Sequence, residues 1–93
     1  MVTLTVVTTN NSVAGRAQAV KVLEEAAEVF SARENLEAAY SIQHADHIEL
    51  WERELANEIA DLVIAATGLA ERWDLDLTSA LARKANANRE RGY

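Results

Sequence analysis

Residues 55–73 read LANEIADLVIAATGLAERW. Leu55, Ile59, Leu62, Ala66, Leu69 and Trp73 recur at alternating steps of four and three, the spacing of a heptad seam. That pattern predicts a helix over about 47–73, with Trp73 in the core. Leu62 to Ala66 is apolar all round, so this segment expects cover on more than one side.

Upstream, Val13, Ala17, Val20, Ala27 and Phe30 make an apolar stripe at helical spacing. A first helix is expected from about 13 to 30, after an Asn10-Asn11-Ser12 cluster that offers an N-cap. Ser31 and Glu34 have capping-box spacing, which predicts a stop and a second helix over about 33–45, with Leu36 and Tyr40 inward. Asp46 and Glu49 repeat that spacing ahead of the seam helix. Asp74 to Asp76 reads as a connection, and a fourth helix follows over about 77–91, with Leu77 and Leu81 inward. Residues 2–9, VTLTVVTT, are β-branched and roughly alternating, so a short strand or an extended arm over 1–11 is expected.

Composition agrees with helices. There is no proline, and glycine occurs only at 15, 68 and 92. The expected fold is all-α, a single domain over 1–93 in an antiparallel four-helix-type bundle. A chain of 93 residues buries only a modest core, so completion by oligomerisation is expected. The absence of cysteine excludes disulfides, thiolate metal sites and cysteine catalysis. A net charge of −6 disfavours nucleic-acid polymers as partners. No apolar run is long enough for a membrane span, and the first residues lack the pattern of a signal peptide. A cytoplasmic location is the expectation.

The acids carry the chemistry. In KVLEEAAEVF, residues 21–30, Glu24, Glu25 and Glu28 stand three and four apart on one helix face. In the seam helix Glu58 and Asp61 are three apart. Glu58 falls about 60° from the seam centre, so it borders the buried stripe, with Asp61 beside it. If the two helices pack together, carboxylates converge at a partly dry interface. Their repulsion is relieved by protonation or by a hard cation such as Mg²⁺ or Mn²⁺. Each motif alone also reads as a solvated helix face, and Lys21 has the spacing of a surface ion pair with Glu24 or Glu25.

The C-terminal KANANRERGY is locally basic. Lys84, Asn88 and Arg91 share one face, suited either to phosphate and sugar contacts or to the helix dipole. Trp51 either stacks on a base or packs in an interface. His44 and His47 have metal-ligand spacing, but no further His or Cys accompanies them.

These three stretches, KVLEEAAEVF, ELANEIADLV and KANANRERGY, resemble the MazG-like superfamily of all-α nucleoside triphosphate pyrophosphohydrolases over roughly residues 17–93. The signature, EExxE followed by ExxD, is met by Glu24, Glu25 and Glu28 and then Glu58 and Asp61. The tail is similar to that of the dCTP pyrophosphatase branch. The resemblance implies Mg²⁺-dependent hydrolysis of a nucleotide to its monophosphate and pyrophosphate, by homodimers or homotetramers, with Mn²⁺ as a substitute. It implies that Glu25, Glu28, Glu58 and Asp61 hold the metal and that Glu24 orients or activates water. Substrate contacts fall to Lys21, Lys84, Asn88, Arg91 and Tyr93, with Trp51 at the base. Phosphoribosyl-ATP hydrolysis is the related alternative. A non-enzymatic helical dimerisation or partner-binding module is the other, and it expects the acids to be scattered and exposed.

Overall fold

The structure, a computed structural model, describes the backbone of residues 2–92 and the side chains of residues 15–92. It contains three helices: α1 (Val2–Ser41), α2 (Ala45–Arg72) and α3 (Leu77–Glu90). No strand occurs among the described residues. The expected strand or extended arm at the N-terminus is instead the start of α1. A lone strand leaves its backbone groups without a ladder, whereas a helix satisfies them locally. The helical cost of valine and threonine is only some tenths of a kcal/mol each.

The expected break at Ser31 and Glu34 is also absent, so the first two predicted helices are one. Neither glycine nor proline interrupts residues 16–67. Arg33 pairs with Glu34 at 2.6 Å and with Glu37 one turn on, tying the turns together. α1 ends where Gln43 takes a left-handed φ of 53° and His44 N–H reaches back to the Ala39 carbonyl at 3.3 Å. Asp74, at φ 52°, closes α2 in the same way, with Leu75 N–H on Ala70 at 2.9 Å. His44 caps α2, rather than Asp46: its Nδ1 accepts from the His47 N–H at 3.4 Å, and the two rings stack at 3.9 Å. That explains the histidine pair without a metal. Asp76, read as part of a connection, caps α3. It accepts from the Ser79 N–H at 3.0 Å and from the Ser79 hydroxyl at 2.8 Å, and these bonds hold its carboxyl below its ordinary pKa.

α1 and α2 pack antiparallel as a hairpin. The inward stripe of α1 is Gly15, Gln18, Val22, Glu25, Val29, Ala32, Leu36 and Ala39, at steps of three and four. Against it lie Ile48, Trp51, Leu55, Glu58, Leu62, Ala65 and Leu69 of α2. This register corrects the expected one. Val20 and Phe30 point outward, Phe30 being 64% exposed, while the side chain of Val13 lies outside the described residues. Ile59 and Trp73 are also exposed, each over somewhat less than half of its surface; Trp73 lies beside Gly15, where a Cβ would lie 3.0 Å from its Nε1.

The molecule measures 58 × 34 × 14 Å. Its thinnest dimension is close to one helix diameter of about 10–12 Å, so the helices form one layer. The radius of gyration is 17.7 Å, against about 12 Å for a compact chain of this length. No large side chain is fully buried among the described residues. α3 makes no packing comparable to that between α1 and α2, and Leu81 is 62% exposed.

Candidate functional site

Midway along the hairpin the seam turns acidic. Glu25 is at an inward position of α1 and is 7% exposed. Glu58 stands opposite on α2, and Asp61 follows three residues later on that helix. One carboxylate oxygen from each of these three acids lies within 4.8 Å of the others. Glu58 therefore sits in the seam itself rather than on its border.

The environment is unfavourable for this much negative charge. Glu58 Oε2 is buried and has no hydrogen-bond partner among the described residues. Burial raises the Glu58 pKa above its ordinary value, and the charges of Glu28, Asp61 and Glu25 push it the same way. Glu28 thus joins the group electrostatically. On one side Lys21 Nζ meets Glu25 Oε1 at 2.8 Å, and this bond and the Glu25 charge raise the lysine's pKa.

Two grooves open beside the cluster. The larger, about 470 Å³, runs along α1 and α2 from Glu24, Glu28 and Glu58 to Asn35 and Trp51. The smaller, about 330 Å³, is lined by Gln18, Lys21, Glu25 and Asp61 among others. Gln18 is fixed by its side-chain amide, which donates to the Ala65 carbonyl at 2.9 Å. The space for it comes from Gly68, where a Cβ would lie 2.8 Å from Gln18 Nε2.

The structure thus brings together Glu25, Glu58 and Asp61, with Glu28 and Lys21 adjoining and with Glu24 and Trp51 in the larger groove. It does not bring the basic tail with them. Lys84 and Asn88 lie on α3 and Arg91 caps its C-terminus, and none of them lines either groove. Tyr93 lies outside the described residues. Gln18 and Asn35 escaped the sequence reading, Ser31 was read only as a cap, and Glu54 only as an acid one turn before Glu58. The available signal was spacing: Gln18 precedes Glu25 by seven residues, and Asn35 follows Glu28 by seven, each two turns along the same face.

An all-oxygen donor set on two facing helices, one of whose oxygens is buried and unpaired, suits a hard divalent cation. It equally suits a shared proton. Comparison with protein-family models, curated proteins and solved structures finds no match to this chain.

Proposed function

We propose that the protein is a Mg²⁺-dependent nucleotide pyrophosphohydrolase, cleaving a nucleoside or deoxynucleoside triphosphate to its monophosphate and pyrophosphate. The observation that carries this reading is Glu58, whose Oε2 is buried without a partner among the described residues, in a helix seam faced by Glu25 and Asp61. A non-enzymatic module expects scattered, exposed acids; Glu24, Glu28 and Asp61 are exposed, but Glu25 is buried, and Glu25, Glu58 and Asp61 converge.

In this reading Glu25, Glu28, Glu58 and Asp61 hold Mg²⁺, with Mn²⁺ able to replace it. The bound ion would neutralise phosphate oxygens and acidify a water. Glu24, exposed at the groove's edge, orients or deprotonates that water. Lys21 is exposed and tethered by a single contact with Glu25, so it can turn to a phosphate oxygen when substrate enters.

The basic residues of α3 join the site through a second copy of the chain. Three features support association: the single-layer shape, a core of small residues with no large side chain fully buried among the described residues, and an outward stripe of Val20, Leu23, Ala27 and Phe30 on α1. Leu23 is 70% exposed. Sedimentation should give a dimer or tetramer, and replacing Leu23 and Phe30 together by glutamate should give a monomer that melts lower. A parent chain that sediments as a well-folded monomer overturns the association.

The test of activity is a panel of nucleoside triphosphates with excess Mg²⁺, read as pyrophosphate released. Pyrophosphate from at least one nucleotide, lost on chelation by EDTA, is the expected result. No release across the panel overturns the hydrolase reading.

A further inference from the structure

We infer that two copies of this chain associate through the back of the α1–α2 layer, the side away from both grooves, so that their acidic grooves open outward on opposite sides of the pair. The inference rests on the association proposed above and not on the hydrolase chemistry; it names the surface.

The two sides of the layer differ in kind. Each residue turns a helix by about 100°, so positions can be counted from Glu25 on α1 and Glu58 on α2, which face each other across the seam. The groove residues Lys21, Glu24, Glu28 and Asn35 of α1, and Glu54, Asp61 and Ile64 of α2, all fall about 40–120° to one side. On the other side, at about 60–160°, stand Ala19, Leu23, Ala26 and Phe30 of α1. Beside them in the layer stand Ile59, Val63, Ala66 and Trp73 of α2. No charged residue of 19–30 or 59–73 falls on that side. The large side chains in the two rows are between 43% and 70% exposed.

Size and charge point to a second copy as the occupant. Residues 59–73 rise about 22 Å, and two helices side by side are about 20 Å wide, so the charge-free patch covers about 450 Å². The largest apolar patch on a monomer is of that order and is often a contact surface. The whole side, along the 28 residues of α2, is about 42 Å long and offers about 800 Å², what each partner gives to a standard interface. With a net charge of −6 the chain repels its own copy, and least through a face that carries no charge. Meeting groove to groove would set Glu24, Glu28, Glu54 and Asp61 of each copy against those of the other. Ala19, Ala26 and Ala66 are small enough to let helices close to about 8–10 Å, as in a four-helix bundle. α3 starts just beyond Trp73 and is about 21 Å long, enough to pass the 14 Å thickness of a layer toward the partner's groove side.

The test is sedimentation equilibrium of the full chain beside Ile59→Glu/Val63→Glu and, as the matched change on the groove side, Ile64→Glu. The parent and Ile64→Glu should sediment at twice 10.2 kDa or more, and Ile59→Glu/Val63→Glu at 10.2 kDa. Thiol protection covers the case in which glutamate disturbs the fold. The chain has no cysteine, so Val63→Cys and Ile64→Cys each supply a single thiol, at positions 58% and 69% exposed in the lone chain. Alkylation of the Val63→Cys thiol should slow as protein concentration rises and the copies associate, while Ile64→Cys reacts at one rate throughout. A folded Ile59→Glu/Val63→Glu that stays associated, or a Val63→Cys thiol as reactive as Ile64→Cys in the associated chain, overturns the inference and leaves association standing. A monomeric parent overturns both, and none of these outcomes bears on the pyrophosphate assay.

Discussion

Gln18 and Glu58 occupy equivalent places, each a polar side chain at an inward position of the α1–α2 seam where an apolar residue would pack. They are treated differently. Gln18 has a carbonyl acceptor at 2.9 Å and a glycine that clears its path. Glu58 has a buried oxygen with no partner among the described residues, and the charges of Glu28, Asp61 and Glu25 bear on it. Buried polar groups are almost always satisfied, so one that is not is the exception that asks for a proton or a cation. Gln18 is satisfied within the protein, and Glu58 keeps one buried oxygen unpaired among the described residues.

The strongest way to break this contrast is Glu58→Gln. It keeps the shape and removes the charge, so the helical fold should persist. Turnover with saturating Mg²⁺ should fall by more than about 100-fold, since even groups behind a metal ligand are worth 10–100-fold. Full turnover in the variant removes Glu58 from the site.

The same substitution sharpens the contrast through pH. Because the Glu58 pKa is raised in the folded chain, the native state holds this proton more tightly than the unfolded state does. The stabilising contribution is complete below the ordinary carboxylate pKa of about 4.3. It is lost as pH rises through the raised value. Without divalent ions, Glu58→Gln should therefore melt above the parent at neutral pH, and the two melting curves should converge in acid. A gap that does not change with pH contradicts the strained carboxylate.

The smallest effects belong to Gln18. Gln18→Ala should cost about 1 kcal/mol, the net worth of one hydrogen bond. Gly68→Ala should be nearly neutral in the parent. Its gain of about 1 kcal/mol in helix propensity is opposed by displacement of the Gln18 amide. In the Gln18→Ala background that opposition is gone, and Gly68→Ala should stabilise by about 1 kcal/mol. Additive energies in this cycle, measured by urea unfolding at fixed protein concentration, mean that glycine and glutamine are not coupled.

Much of the site was legible from residue spacing, because carboxylates three and four apart share a face whatever lies opposite. The register was not. Val20, Ala27 and Phe30 repeat as regularly as Val22, Val29 and Leu36, so α1 carries apolar stripes on opposite faces. Periodicity reports that a stripe exists, without saying which one meets α2. Choosing the outward stripe also hid Gln18. On α2, reading Ile59 into the seam shifted Glu58 to the border, although it is Glu58 that faces α1.

The sequence by itself determined that this chain is helical and that two of its segments carry paired acids. Both follow from local chemistry, namely good helix formers, no proline, and a rise and turn that bring near neighbours together. Tertiary structure alone decided that the Gln18–Glu25 face of α1 turns inward and that one oxygen of Glu58 is buried. Those outcomes depend on which surface lies opposite, and burial is a property of two helices that neither encodes alone.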